Sequence, residues 1–72
     1  MAQEHLADSI RQILTQTIPD STRAYNMMML AMYTEPMDLQ QAHSLYKEAV
    51  DFSLAKNLDY YGALALYYEA TP

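Results

Sequence analysis

Eleven consecutive residues, Ala24 to Thr34, carry no charge, and nine of them are Ala, Met, Leu or Tyr. As a helix, this run has no polar face to turn to water. A helix that is apolar nearly all round has to be covered on more than one side. It is too short to cross a bilayer, which takes roughly 20 apolar residues. In a chain of 72 residues there is little protein to cover it. The run therefore predicts a central core helix, a subunit contact or a groove for a partner.

Length makes the burial problem sharper. A chain of this size forms one domain, expected over 1–72, and buries only about 60% of its unfolded surface. Without cysteine it has neither disulfides nor thiolate metal sites, so stability has to come from helix packing or association. Hydrophobic residues make up 51% of the chain, enough for a packed core and too many for a disordered segment. Nine acids against four bases give a net charge of −5 with no basic patch. That excludes direct nucleic-acid binding and attraction to an anionic membrane. Glu4, His5 and Asp8 interrupt the N-terminus where a signal peptide would be apolar. A cytoplasmic location is expected, with no membrane span.

One Gly and three Pro predict an all-α protein with few turns. Breaks fall at Pro19-Asp20-Ser21, Glu35-Pro36-Met37-Asp38 and Asn57-Leu58-Asp59. The first segment, 3–17, places Leu6, Ile10, Ile13, Leu14 and Thr17 on one face at spacings of three and four. The second, 21–34, follows Asp20 or Ser21 as N-cap and holds the uncharged run. The third, 39–56, opens with Asp38 as N-cap and Gln41 three residues on, a capping-box pattern. Its apolar stripe is Leu39, Ala42, Leu45, Tyr46, Ala49, Phe52 and Ser53. The fourth, 60–70, follows Asp59 as N-cap and is rich in Tyr, Ala and Leu. Connections this short make neighbouring helices antiparallel. The expected architecture is four short antiparallel helices, as a repeat-like array of helical hairpins or a small up-and-down bundle. Its predicted core is Leu6, Ile10, Ile13, Leu14, Leu30, Tyr33, Ala42, Tyr46, Ala49, Leu64 and Tyr67.

Tyr33, Ala42, Tyr46 and Ala49 have the large-small-large-small spacing of a tetratricopeptide repeat. The stretch from Arg23 to Lys56 resembles one such unit, with the next starting near Asn57. It differs from the repeat at Asn26, where Trp is usual, and at Leu30, where Gly is usual. Leu39 to Ala70 also resembles the first two helices of a microtubule-interacting and trafficking domain. There Leu39-Gln40-Gln41-Ala42 opens a helix, Ala55-Lys56-Asn57 turns the chain and Ala63-Leu64-Ala65-Leu66-Tyr67 packs back. Both resemblances imply binding of short peptide or helix segments in grooves between helices, without chemistry.

Residues that could carry chemistry are sparse. His5 and Asp8 share a helix face with Glu4 nearby, yet no further ligand follows at metal-binding spacing. A charged first helical turn explains them, since acids favour a helix N-terminus. His43 has Lys47 one turn on, which cannot orient it as a base. No nucleophile elbow and no Gly-rich loop is present, Gly62 being alone. Neither an enzyme nor a cofactor is expected.

Two signals point to binding instead. Met27, Met28, Met29 and Met32 crowd one segment, and methionines adapt to irregular surfaces. They equally suit gap-filling in a core, and four so close together cannot all face one way. Tyr60/Tyr61 and Tyr67/Tyr68 are paired seven residues apart, which suits an interface with one wet side or plain core filling. The leading expectation is a small adaptor or chaperone-like protein-interaction module. Met27, Ala31 and Thr34 on one helix and Tyr61, Ala65 and Tyr68 on another would hold the partner. In the repeat-like register these are the ligand-facing positions. Acidic rim residues would favour a basic or amphipathic helix as partner. One alternative is a homo-oligomer whose role is its own assembly. The last is an acidic inhibitor mimicking nucleic acid, for which the carboxylates are too sparse and too mixed with amides and tyrosines.

Overall fold

The computed structural model describes residues 2–70, with side-chain surroundings for 5–67 and 69. It contains four helices: α1 (Ala2–Leu14), α2 (Asp20–Thr34), α3 (Leu39–Ala55) and α4 (Asp59–Ala70). No strand occurs among the described residues. The all-α fold of four short helices is thus as the sequence predicts. No helix among the described residues is long and apolar enough to cross a membrane.

Each helix end has a local cause. Sequence periodicity carries α1 to Thr17, but the helix stops at Leu14. The chain tightens there through bonds from Thr15 N–H to Gln12 O and from Gln16 N–H to Ile13 O. Arg23 of α2 then donates to the carbonyls of Leu14 and Gln16, both at 2.8 Å. These acceptors are left open at a helix C-terminus, and a cation is favoured there. Arg23 therefore caps α1 and fixes it to α2 at once. α2 begins one residue earlier than the sequence suggests, after Pro19, and no side chain caps it. At its far end the Thr34 carbonyl accepts from the N–H groups of Met37 and Asp38. The Asp38 carboxylate then accepts from Gln41 N–H at 3.0 Å, the N-cap expected for α3. Between α3 and α4, Asn57 takes a left-handed conformation with φ 59°. Leu58 N–H reaches back to Ser53 O at 2.7 Å. This is a Schellman closure, with Asn in the place that tolerates αL. The described start of α4 is Asp59 itself, with Gly62 N–H bonded to Leu58 O.

Packing follows chain order. α2 lies against α1 and α3, α3 against α4, and α2 also touches α4. Backbone contact between α1 and either α3 or α4 is absent among the described residues. The ring of a closed bundle is therefore left open. The Cα trace measures 34 × 30 × 14 Å. A thickness of 14 Å is that of two helix layers, since Cα cylinders of about 2.3 Å radius pack about 8–10 Å apart.

Small residues decide which faces meet. The main core gathers Met28, Ala31, Ala42, Tyr46, Ala49, Val50 and Ala65. A second cluster, Ala7, Ile10 and Leu30, joins α1 to α2, with Leu14, Tyr33 and Leu45 packed against it. Ala7, Ala31, Ala42 and Ala65 are fully buried. With only a methyl at the contact, two backbones approach closely and larger neighbours fill the sides. Two buried hydroxyls are satisfied within their own helices, Thr34 to Leu30 O at 2.8 Å and Ser53 to Ala49 O at 2.7 Å. The Tyr46 hydroxyl donates to the Glu35 carboxylate at 3.1 Å, so the largest buried side chain in the core also ties α3 to the end of α2.

Three predicted core residues are corrected by this packing. Leu6 and Ile13 are 42% and 36% exposed. α1 has one neighbouring helix, and the contact runs along Ala7, Ile10 and Leu14, so the other flank of the stripe faces water. Tyr67 is 65% exposed. α4 turns Gly62 and Ala65 toward the core because α3 approaches there. A Cβ placed on Gly62 would lie 3.5 Å from Ser53 Cβ. The bulky ring at position 67 is left on the outside. Leu64, Leu14 and Tyr33 are half-buried, and the other predicted core residues, Ile10, Leu30, Ala42, Tyr46 and Ala49, are buried.

Candidate functional site

Because α1 and α3 both lean on α2 without their backbones meeting, a cleft opens between them. It is floored by Met27 and Leu30 of α2 and walled by Leu14 of α1 and by Leu45 and Glu48 of α3. Its volume is about 160 Å³. Sites for drug-sized ligands run to roughly 300–1,000 Å³, so this one suits a single large side chain. Four of the five lining residues are apolar, and the fifth is the exposed carboxylate of Glu48 at the rim. Such a cleft can take an apolar side chain and favour a cation beside it.

The local sequence explains the geometry. Leu14 is the last helical residue of α1 and is held by the Arg23 bond to its carbonyl. Met27 and Leu30 are three apart on α2, and Leu45 and Glu48 three apart on α3, so each pair shares a face. Leu45 also packs against the α1–α2 cluster.

The six predicted partner-binding residues do not form one surface. Met27 alone lines the cleft, half-buried. Ala31, Thr34 and Ala65 are buried, Ala31 and Ala65 in the main core between helices. The two alanines assigned to a ligand are among the residues that let α2, α3 and α4 approach. Tyr61 is half-buried, and its ring meets Tyr25 of α2 edge-on at 6.4 Å and Tyr60 at 5.2 Å. It stitches α4 to α2. The side chain of Tyr68 lies outside the described residues. Leu45 and Glu48 are cleft residues that the sequence reading left unassigned to a site. Their signal was present but weak, an apolar residue on the edge of the α3 stripe with an acid one turn on.

Elsewhere, some charged side chains pair near the surface. Arg11 meets Asp8 at 3.1 Å, and His43 lies 3.7 Å from Glu69. Lys56 sits over the Phe52 ring at 5.9 Å. Among the described residues no group of three His, Asp or Glu side chains could hold a metal ion. No buried side-chain nitrogen or oxygen among them lacks a hydrogen-bond partner. Comparison with protein-family models, with curated proteins and with solved structures finds no match. The functional reading therefore rests on the geometry of this chain alone.

Proposed function

We propose that this protein is a small helical interaction module that holds an amphipathic helix or peptide of a partner protein in the α1–α2–α3 cleft. The observation that carries the reading is the cleft itself: an apolar hollow between three helices, sized for one side chain, with a carboxylate at its rim. The partner would insert a Leu, Met or Phe side chain and place a Lys or Arg near Glu48. Desolvation of the anchor would supply affinity, and the charge would supply orientation. The unclosed order of helices supports the same reading, because α1 and α3 pack on α2 without their backbones meeting.

The test is a pulldown from cell lysate with the wild-type chain, Met27→Glu and Glu48→Lys, alongside Leu66→Lys on the far side of α4 as a control. Proteins retained by the wild type and by Leu66→Lys should be lost from both cleft variants. Equal recovery by all four chains would rule the cleft out as the docking site.

A further inference from the structure

Met27, Met28, Met29 and Met32 crowd one stretch of α2, and the fold gives them unequal surroundings. Met28 is 2% exposed inside the main core. Met29 and Met32 are half-buried and pack against the core clusters. Met27 packs on the main core as well, but it also lines the cleft. The cleft volume of about 160 Å³ far exceeds the roughly 10–15 Å³ that one water needs. A small polar oxidant therefore enters it as water does. Met37 is 46% exposed, but it lies in the α2–α3 connection and not in the cleft. The cleft lining has no side-chain donor to offer a new polar group. Leu14, Leu30 and Leu45 are aliphatic, and the Glu48 carboxylate only accepts.

We propose that Met27 is an oxidation site whose sulfoxide shuts the cleft to its partner, an inference that rests on the cleft reading above. The oxidant is a peroxide. A sulfur lone pair of Met27 attacks one peroxide oxygen, the S–O bond forms and the O–O bond breaks. The proton on the transferred oxygen passes to the departing hydroxide, which leaves as water. Sulfur is oxidised by two electrons and the peroxide is reduced by two. Sulfoxide turns a flexible apolar side chain into a polar one, and cellular reductases reverse the change. In the open cleft, water hydrates the new oxygen, so the free protein tolerates it. A docked apolar anchor expels that water and leaves the oxygen among three leucines and a carboxylate. A buried acceptor without a partner should weaken docking by about 10- to 100-fold. Coupling of this kind is reciprocal, so a docked partner protects Met27 from peroxide.

The full chain carrying Met37→Leu, which removes the exposed methionine of the connection, is treated with hydrogen peroxide. Peptide mapping by mass spectrometry follows each methionine, and a basic amphipathic helical peptide with one leucine anchor is the binding probe. Met27 should gain one oxygen well before Met28, and more slowly when the peptide is present. Peptide affinity should fall by about 10- to 100-fold with helicity by circular dichroism unchanged, and a methionine sulfoxide reductase should restore it. Adding Met27→Leu should leave a chain whose affinity, compared with its own untreated value, no longer responds to peroxide. Oxidation of Met27 no faster than of Met28 would overturn the proposal. So would a loss of helicity on oxidation, since the sulfoxide then acts by unfolding, or an equal response to peroxide in the Met27→Leu chain. An untreated chain that binds and an oxidised one that binds equally well overturn the switch alone. An untreated chain that binds no such peptide overturns the cleft reading, and the switch with it.

Discussion

Ala49 gives the sharpest test of the packing. It is 1% exposed, on the face of α3 that carries Ala42 and Tyr46, inside a cluster completed by Met28, Val50 and Ala65. Ala49→Leu adds three heavy atoms where α2, α3 and α4 converge, and none of the neighbouring backbones can withdraw without breaking another alanine contact. Overpacking of this kind costs about 1–3 kcal/mol. A chain of 72 residues has only about 3–5 kcal/mol to lose. At about 4–8 °C per kcal/mol for a domain this small, a cost near 2 kcal/mol lowers Tm by about 8–16 °C. The neighbouring exposed position supplies the control: Glu48→Leu should shift Tm by no more than a few degrees. Thermal melts followed by far-UV circular dichroism read both. If Glu48→Leu unfolds the protein and Ala49→Leu does not, the buried face of α3 is wrongly assigned, and the two-layer packing with it.

Three further outcomes follow from helix ends and small residues. Arg23→Met removes both donors to the α1 C-terminus and should cost about 1–3 kcal/mol, with amide hydrogen exchange speeding up at 12–16 and not in α3. Asp38→Ala deletes the N-cap of α3 and should cost about 1 kcal/mol, whereas Asp38→Asn should retain most of it, as denaturant melts would read. Gly62→Ala should stabilise by about 0.5–1 kcal/mol, since the added Cβ meets Ser53 at an ordinary 3.5 Å and Ala is the better helix former. A fall in Tm would show that α3 and α4 are closer than described.

The elements were legible in the sequence because helix caps and breaks are local chemistry. Asp38 with Gln41, the break at Asn57-Leu58-Asp59 and the uncharged run on α2 each mark their element within a few residues. The end of α1 was not legible, because the group that stops it, Arg23, comes from the next helix. Rotation of α4 about its axis was missed for a related reason. Its residues are apolar on every side, so periodicity cannot say which face turns inward, and the outcome is settled by where Gly62 and Ala65 permit approach to α3. The predicted site failed on the same ground: Ala31 of α2 and Ala65 of α4 are expected to face a ligand and instead pack in the main core, and Thr34 is buried. The cleft depends on a gap between α1 and α3, two helices that are not consecutive, and no local pattern encodes such a gap.

The claim that matters most is that the cleft docks a partner, and the methionines are built-in probes of it. Met27 lines the cleft, Met28 is buried in the main core, and Met37 is exposed in the α2–α3 connection. A protein labelled at the methionine methyls can be titrated with a basic amphipathic helical peptide while each methyl resonance is followed by NMR. Docking in the cleft predicts that the Met27 methyl shifts in a saturable way, that Met37 stays in place, and that Glu48→Lys abolishes the change. A Met27 resonance that does not move while the peptide binds, or one that moves equally in Glu48→Lys, would contradict it.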